Sequence, residues 1–233
     1  MKYEHMVKAT FLSRPNRFVA HCLLDGKEVV AHVKNTGRCK ELLVPGADVW
    51  LQYVPSEKRS TDYDLIAVRK GERIINMDAV APNAAFAEYV MEGKFQQDLT
   101  LIKRECTHGE SRFDLYLESP GRKAFVEVKG VTLEMDGVVR FPDAPTERGV
   151  KHLHGLMRCV EEGYEAYAVF IIQMENVKYF EANRATHAAF ADALTGAARA
   201  GVHVLAFDCV VEPDSMVVNQ PVKVRLAESL INA

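Results

Sequence analysis

Two acidic residues and a lysine lie on neighbouring segments that have the alternating pattern of β-strands. Asp114 occupies a polar position of residues 112–117, in which apolar and polar side chains alternate. Glu127 and Lys129 lie two residues apart in residues 125–130, so an extended chain projects both from the same face. A turn between the two segments would fold them into a hairpin and bring Asp114 close to Glu127.

Such a cluster could bind a divalent cation. Two carboxylates at close range repel each other unless a cation lies between them, and Mg²⁺ or Mn²⁺ prefers oxygen ligands. Lys129 could then position or deprotonate an attacking water and stabilise the charge that grows on a phosphate. The pattern predicts a catalytic site of Asp114, Glu127 and Lys129, with the two acids binding metal. The alternative is an ion pair at the edge of a sheet, which is common and stabilises little.

The bare formula of an aspartate followed by Glu-x-Lys occurs a second time, with Asp78, Glu92 and Lys94. Here the Glu and Lys lie at the end of an apparent helix, where residues two apart diverge by about 200°. We therefore expect no shared site at this second match. The strand context is what distinguishes the first one.

Basic residues near the start of a predicted helix are candidates for binding phosphate. The helix is expected over residues 146–162, with Asp143 or Thr146 as its cap. Arg148 and Lys151 lie on its polar face and follow the acidic strand, so they could hold the scissile phosphate. The alternative is a solvated helix face.

Two basic turns in the first part of the chain could bind nucleic acid, since small barrels place cations on the backbone and rings under the bases. One turn also contains the aromatic residue Phe18. The candidate cations are Arg14, Arg17, Lys34, Arg38 and Lys40. Ordinary turn chemistry explains the same residues equally well.

Short alternating segments broken by turn residues predict an all-β unit over residues 1–80, which we expect to be an OB-like five-stranded barrel. Near residue 80 the spacing of apolar residues changes from strand-like to helical, and Asn83 could cap a helix. Residues 81–233 are expected to form a second domain. Its predicted strands are 101–105, 111–118, 123–134, 166–172, 202–211 and 221–226, and its later helices are 146–162 and 185–200. This order indicates a two-domain α/β chain whose second domain has a mixed sheet with parallel central strands.

Composition excludes several classes of protein. The 233 residues carry a formal net charge of −3, so a nucleic acid would have to be bound by local basic patches. The 5 cysteines have no Cys-x-x-Cys spacing, which argues against disulfides and structural zinc and favours a cytoplasmic protein. No signal-peptide core, membrane-length apolar run or glycine-rich phosphate motif is present, so we expect no membrane and no nucleotide cofactor. The oligomeric state is left open.

Several strings, in the same order along the chain, resemble the sugar fermentation stimulation protein A family from about residue 11 to 207. In the first part these are Asn16-Arg17-Phe18, His32, residues 35–38, residues 41–43 and Pro45-Gly46. In the second part they are Ser111-Arg112, Asp114, residues 126–129, 131–133 and 141–144, Thr146, Arg148-Gly149 and residues 151–153.

The resemblance implies an amino-terminal OB-like barrel and a carboxy-terminal domain similar to PD-(D/E)xK nucleases. It also implies sequence-nonspecific DNA binding linked to maltose metabolism. In that superfamily the metal-binding acids and the catalytic lysine map onto Asp114, Glu127 and Lys129. Two positions depart from the family pattern: Gly155 stands where an acidic residue is expected, and Thr186-His187 stands where Asp-Pro is usual.

Three hypotheses of function follow. The first is a DNA-binding protein with a Mg²⁺- or Mn²⁺-dependent nuclease site. The second is a DNA-binding regulatory protein of sugar metabolism that retains the nuclease scaffold without turnover. The third is a metabolic enzyme acting on a small phosphorylated sugar, although the sequence has no recognisable sugar pocket.

Overall fold

A computed structural model describes residues 1–35 and 37–226, and its first part is a closed β-barrel. The strands are β1 (Met6–Asn16), β2 (Val19–Leu24), β3 (Lys27–Val33), β4 (Asp48–Tyr53), β5 (Tyr63–Lys70) and β6 (Arg73–Asn76). Strand β1 pairs with β2 and β4, and β3 and β4 both pair with β5, which closes a five-stranded barrel as predicted. Asp25 and Gly26 form the β2–β3 turn with positive φ at both residues, as a two-residue hairpin requires.

The second part is a mixed sheet flanked by three helices. Its elements are α1 (Ala81–Met91), β7 (Leu101–His108), β8 (Ser111–Ser119), β9 (Arg122–Val131), β10 (Leu133–Met135), β11 (Val138–Phe141), α2 (Glu147–Glu161), β12 (Glu165–Ile172), β13 (Tyr179–Ala182), α3 (Ala188–Arg199), β14 (His203–Glu212), β15 (Ser215–Pro221) and β16 (Val224–Arg225). The large sheet has the order β15-β14-β12-β9-β8-β7, with β9, β12 and β14 parallel. A small second sheet has the order β10-β11-β13-β16.

Several expected boundaries are wrong in detail. The predicted strand 123–134 is divided into β9 and β10, the helix expected from residue 185 begins at Ala188, and β11, β13 and β15 were not predicted. Asn83 does not cap α1, because Val80 is the N-cap residue and Pro82 lies in the first turn. Thr146 does cap α2, since its hydroxyl accepts a hydrogen bond from the Gly149 N–H at 3.0 Å. The expected second domain extends to residue 233, of which residues 227–233 lie outside the described part.

The large sheet is covered on both faces, which is why its central strands are almost entirely apolar. Phe113 and Phe125 pack towards α2 and α3, in a core that continues into the barrel. Leu115 and Val126 pack towards α1 on the other face. Glu127 is therefore a carboxylate within a buried strand and requires a specific explanation. None of the helices in residues 1–35 and 37–226 is long and apolar enough to cross a membrane.

Candidate metal and phosphate site

Asp114 lies at the point where β8 separates from β9. The antiparallel register pairs Leu115 with Val126, so Asp114 and Glu127 are the next residues along the two strands. At this point the Asp114 carboxylate takes the place of a backbone partner and accepts a hydrogen bond from the Val128 N–H at 2.7 Å. Its other oxygen accepts a hydrogen bond from the Asn83 amide at 2.6 Å. The predicted hairpin therefore exists, and Asn83 orients its acid instead of capping a helix.

Glu127 is buried, with 4% of its surface exposed, and its two oxygens have different surroundings. Oε1 accepts hydrogen bonds from the Lys129 ammonium group and from Nδ1 of His152. Oε2 is buried and has no hydrogen-bond partner among the described residues. A buried carboxylate oxygen without a partner is unfavourable, so it marks a position where a ligand could bind.

The two acids have opposite pKa shifts. Burial, followed by the nearby charge of Glu127, raises the pKa of Asp114 to about 6. Burial also acts to raise the pKa of Glu127, but the hydrogen bond from His152 and the charge of Lys129 outweigh it and lower that pKa. At neutral pH both side chains are carboxylates, and Asp114 is ionised at an energetic cost.

The pair fits a hard divalent cation by its chemistry. Both groups offer carboxylate oxygens, one oxygen is unsatisfied, and Asp114 would be relieved of repulsion by a positive charge beside it. Residues 1–35 and 37–226 contain no group of three or more His, Cys, Asp or Glu side chains placed to hold a metal. An ion at this site would therefore depend on two protein carboxylates and on several waters, which is common for Mg²⁺.

His152 on α2 is a site residue that the sequence did not identify. Its Nδ1–H donates to Glu127, and its Nε2 accepts a hydrogen bond from Nε of Arg148 at 3.3 Å. The signal was present in the sequence as a spacing of four residues on a helix, which places Arg148 and His152 on the same face. The sequence did not reveal that this face of α2 packs against Glu127.

Two further positions of α2, Lys151 and Gly155, face residues other than the candidate site. Lys151 is exposed, and its ammonium group is 3.9 Å from a carboxylate oxygen of Glu110. At Gly155, where an acid was expected, an added Cβ would lie 2.5 Å from the Ser111 hydroxyl and 3.1 Å from the Phe113 ring. The helix packs too closely against β8 for a side chain at this position unless its neighbours move.

The five predicted cations of the barrel fall into two groups. Arg14 donates hydrogen bonds to four backbone carbonyls, so its guanidinium group holds neighbouring turns together. Lys34 forms an ion pair at 2.6 Å with the buried carboxylate of Asp78. Arg17, Arg38 and Lys40 are exposed and lie around a cleft of about 450 Å³.

The second Asp, Glu-x-Lys match does not form a shared site. Glu92 and Lys94 pair with each other on the surface at 2.6 Å, whereas Asp78 pairs with Lys34 in the interior. The expected absence of a shared site is confirmed, but the expected divergence of Glu92 and Lys94 is wrong, because α1 ends at Met91 and neither residue lies within the helix.

Comparison with known proteins supports the two-part architecture. The model of the SfsA N-terminal OB domain matches residues 12–77, and that of the sugar fermentation stimulation protein RE domain matches residues 80–215. A sugar fermentation stimulation protein homolog from Desulfitobacterium hafniense (strain Y51) is 58% identical over 98% of this chain and 100% of its own length. A homolog from Clostridium beijerinckii is 51% identical over 97% of this chain and 100% of its own length.

A solved structure has the same fold throughout. It is described as the structure of Pyrococcus furiosus SfsA in complex with Ca²⁺. It superimposes with a TM-score of 0.86 at 28% identity and covers 97% of this chain and 98% of its own. The chain belongs to the sugar fermentation stimulation protein family.

Proposed function

We propose that this protein binds DNA and hydrolyses phosphodiester bonds with Mg²⁺ or Mn²⁺ at Asp114, Glu127 and Lys129. The observation that carries the proposal is the buried Oε2 of Glu127, which has no partner within the described residues and lies beside a second carboxylate of raised pKa. A structural ion pair would not explain the unpartnered oxygen, since buried charges of structural pairs are normally satisfied by hydrogen bonds.

Asp114 and Glu127 would hold the metal ion. When bound, such an ion would neutralise charge on the phosphate and make water a stronger nucleophile. The related Pyrococcus furiosus protein is described in complex with Ca²⁺. Like Mg²⁺, Ca²⁺ takes oxygen ligands, which supports a hard-cation site in this chain.

The chain's own residues have distinct roles in the proposed reaction. His152 donates to Oε1 of Glu127 and thereby fixes the direction of Oε2. Lys129 pairs with Oε1 of Glu127 and keeps 22% of its side chain exposed, so its ammonium group can orient the attacking water. Arg148 contacts His152 and carries a positive charge to the same end of the helix, where it can bind the scissile phosphate together with Lys151.

The proposal is tested by incubating the protein with linear plasmid DNA in Mg²⁺ or Mn²⁺. Cleavage is expected for the wild type and is expected to fall at least about 100-fold in Asp114→Asn, Glu127→Gln and Lys129→Ala proteins. Lys94→Ala is the matched control, because Lys94 belongs to the same Glu-x-Lys formula but pairs on the surface. Equal cleavage by all four variants would refute the assignment and indicate a contaminating nuclease.

A second candidate is a DNA-binding regulatory protein of sugar metabolism without turnover. It is favoured by Gly155, which removes an acid from the surroundings of the site, and by the tight pairing of Glu127 with Lys129. This candidate predicts DNA affinity that falls with salt, by about 0.9 log units per tenfold change in salt for each phosphate contacted. It also predicts no product with any divalent metal.

A further inference from the structure

The turn between β1 and β2 presents an aromatic ring between two basic clefts. Phe18 exposes 48% of its surface. One cleft, of about 450 Å³, contains Arg17, Arg38 and Lys40. A second cleft, of about 510 Å³, is lined by Phe18 itself, Lys34, Lys58 and Arg59.

The backbone of Phe18 is held by two hydrogen bonds. The Phe18 N–H donates to the Asn16 side chain at 2.8 Å, and the Phe18 carbonyl accepts from the Val33 N–H at 2.8 Å. The guanidinium carbon of Arg17 lies 5.2 Å from the ring centroid, so a cation already stacks on part of the ring. Isolated exposed aromatic residues are common, but the backbone that carries this one is fixed on both its N–H and its carbonyl.

The charge of the second cleft is suited to a polyanion. Asp64 is the acidic residue that lines it, and Arg59 and His32 both contact this carboxylate. Neither Arg17 nor Lys58 forms an ion pair within residues 1–35 and 37–226. The surface is therefore locally positive on a chain whose net charge is −3.

The first cleft adjoins the segment that carries the candidate site. Gly37 lines this cleft and also a cavity of about 170 Å³ that is lined on its other side by Gly130, the residue after Lys129. The Arg38 N–H donates to the Asp143 carboxylate at 3.0 Å, which fixes the barrel against the second domain here. Gly37 thus links the first cleft to the end of the strand that carries Lys129.

We infer that Phe18, with Arg17 and Lys58, is a stacking site for single-stranded nucleic acid. Stacking on an exposed ring requires a base with a free face, and in a duplex these faces are covered by neighbouring base pairs. The flanking cations would follow the phosphate backbone. This inference rests on the proposed DNA binding and deepens it by naming the form of nucleic acid, but it does not require hydrolysis.

The test is fluorescence anisotropy with a labelled oligo-dT of about 15 nucleotides and a duplex of the same length, in EDTA so that metal-dependent cleavage cannot contribute. Phe18→Ala is expected to weaken single-strand binding about 5- to 100-fold and to change duplex binding by less than about twofold. Phe18→Trp is expected to retain affinity. Lys58→Gln is expected to reduce the salt dependence by about 0.7 log units per tenfold change in salt. The matched control is Leu23→Ala, which removes an exposed apolar side chain of the same barrel outside both clefts.

The outcomes separate the stacking site from the proposed function. If the wild type binds DNA but Phe18→Ala binds oligo-dT as tightly, or loses single-strand and duplex affinity equally, the stacking site is refuted alone. If the wild type binds neither oligonucleotide, the proposed DNA binding fails as well. Loss of cleavage in the site variants with the Phe18 effect intact would leave the stacking site standing.

Discussion

At the scale of single residues, Asp114 is ionised in a place that disfavours its charge. Its pKa rises from 3.8 to about 6 on folding, so the folded protein binds this proton more tightly than the unfolded chain does. The carboxylate therefore destabilises the metal-free protein above about pH 6, and the effect disappears below about pH 4. Functional sites often lower the stability of the folded protein in this way, because their residues are arranged for binding or catalysis.

This leads to a prediction for Asp114→Asn in EDTA. As the pH rises from 4 to 7.5, the wild type pays for ionising Asp114 and the variant does not. The variant is therefore expected to gain about 1–3 kcal/mol in free energy of unfolding relative to the wild type over this range. Urea melts at several pH values measure it. Asp62→Asn, a change at an exposed acid, is the control and should give a flat difference. A difference that falls towards neutral pH would mean that Asp114 stabilises the fold.

His152 provides a prediction about geometry. His152→Ala is expected to weaken Mn²⁺ binding about 10- to 100-fold, because only the flexible Lys129 side chain would then hold the Glu127 carboxylate. His152→Asn should restore most of the affinity, since its amide nitrogen is as far along the side chain as Nδ1. The exposed neighbour His154→Ala is the control. Equal Mn²⁺ affinity in His152→Ala, measured by electron paramagnetic resonance, would exclude the orienting role.

At the scale of elements, the first turn of α1 approaches β9 closely enough to place Asn83 beside Asp114. Gly130 permits this approach, because a Cβ there would lie 2.5 Å from the Gln173 amide oxygen and 2.7 Å from Pro82. A side chain at residue 130 would push the helix away from the end of the strand that carries Lys129.

Gly130→Ala is accordingly expected to lower the free energy of unfolding by about 1–3 kcal/mol, as other overpacking substitutions do. Gly196→Ala is the matched control: it lies within α3 with nothing within 4 Å of the added Cβ, and should stabilise by up to about 1 kcal/mol. Chemical denaturation of the two variants measures the contrast. Equal stability of both would show that the close approach is not required.

The sequence was sufficient to predict that Asp114, Glu127 and Lys129 lie close together on paired strands, because two-residue alternation and a short hairpin are local properties. It was insufficient for Asn83 and His152, whose roles depend on where α1 and α2 pack against the sheet. The same limit applies to Arg14, whose four hydrogen bonds to backbone carbonyls depend on how neighbouring turns pack. Strands β11 and β13 were missed because each has only 4 residues, too few to give a periodic pattern.

At the scale of the whole molecule, buried polar groups join the barrel to the second domain. A cleft of about 970 Å³ lies around Glu134 and is lined by neither Asp114 nor Glu127. Glu134 is 3% exposed and pairs with Lys70 at 2.7 Å and Arg73 at 3.4 Å, both from the β5–β6 hairpin. These contacts make the cleft a junction between domains.

Glu134→Gln is expected to destabilise the protein by about 1–3 kcal/mol at pH 7, because two partly buried cations lose their partner. Burial acts to raise the pKa of Glu134, but Lys70, the Gly137 N–H and Arg73 lower it overall. The stabilisation is therefore present above about pH 4.5 and is lost as the pH falls through the lowered pKa. Glu72→Gln, on the exposed turn of the same hairpin, is the control in thermal melts. An effect that does not decrease as the pH is lowered from 7 to below 4.5 would contradict the ion-pair explanation.

The proposed hydrolysis requires that Asp114 and Glu127 bind a hard cation. Isothermal titration of Mn²⁺ into the metal-free protein, compared with Asp114→Asn, tests this without requiring turnover. We predict one saturable site in the wild type and a loss of affinity of at least about tenfold in the variant. No saturable binding, or the same affinity in both proteins, would contradict the metal site and the hydrolysis proposed from it.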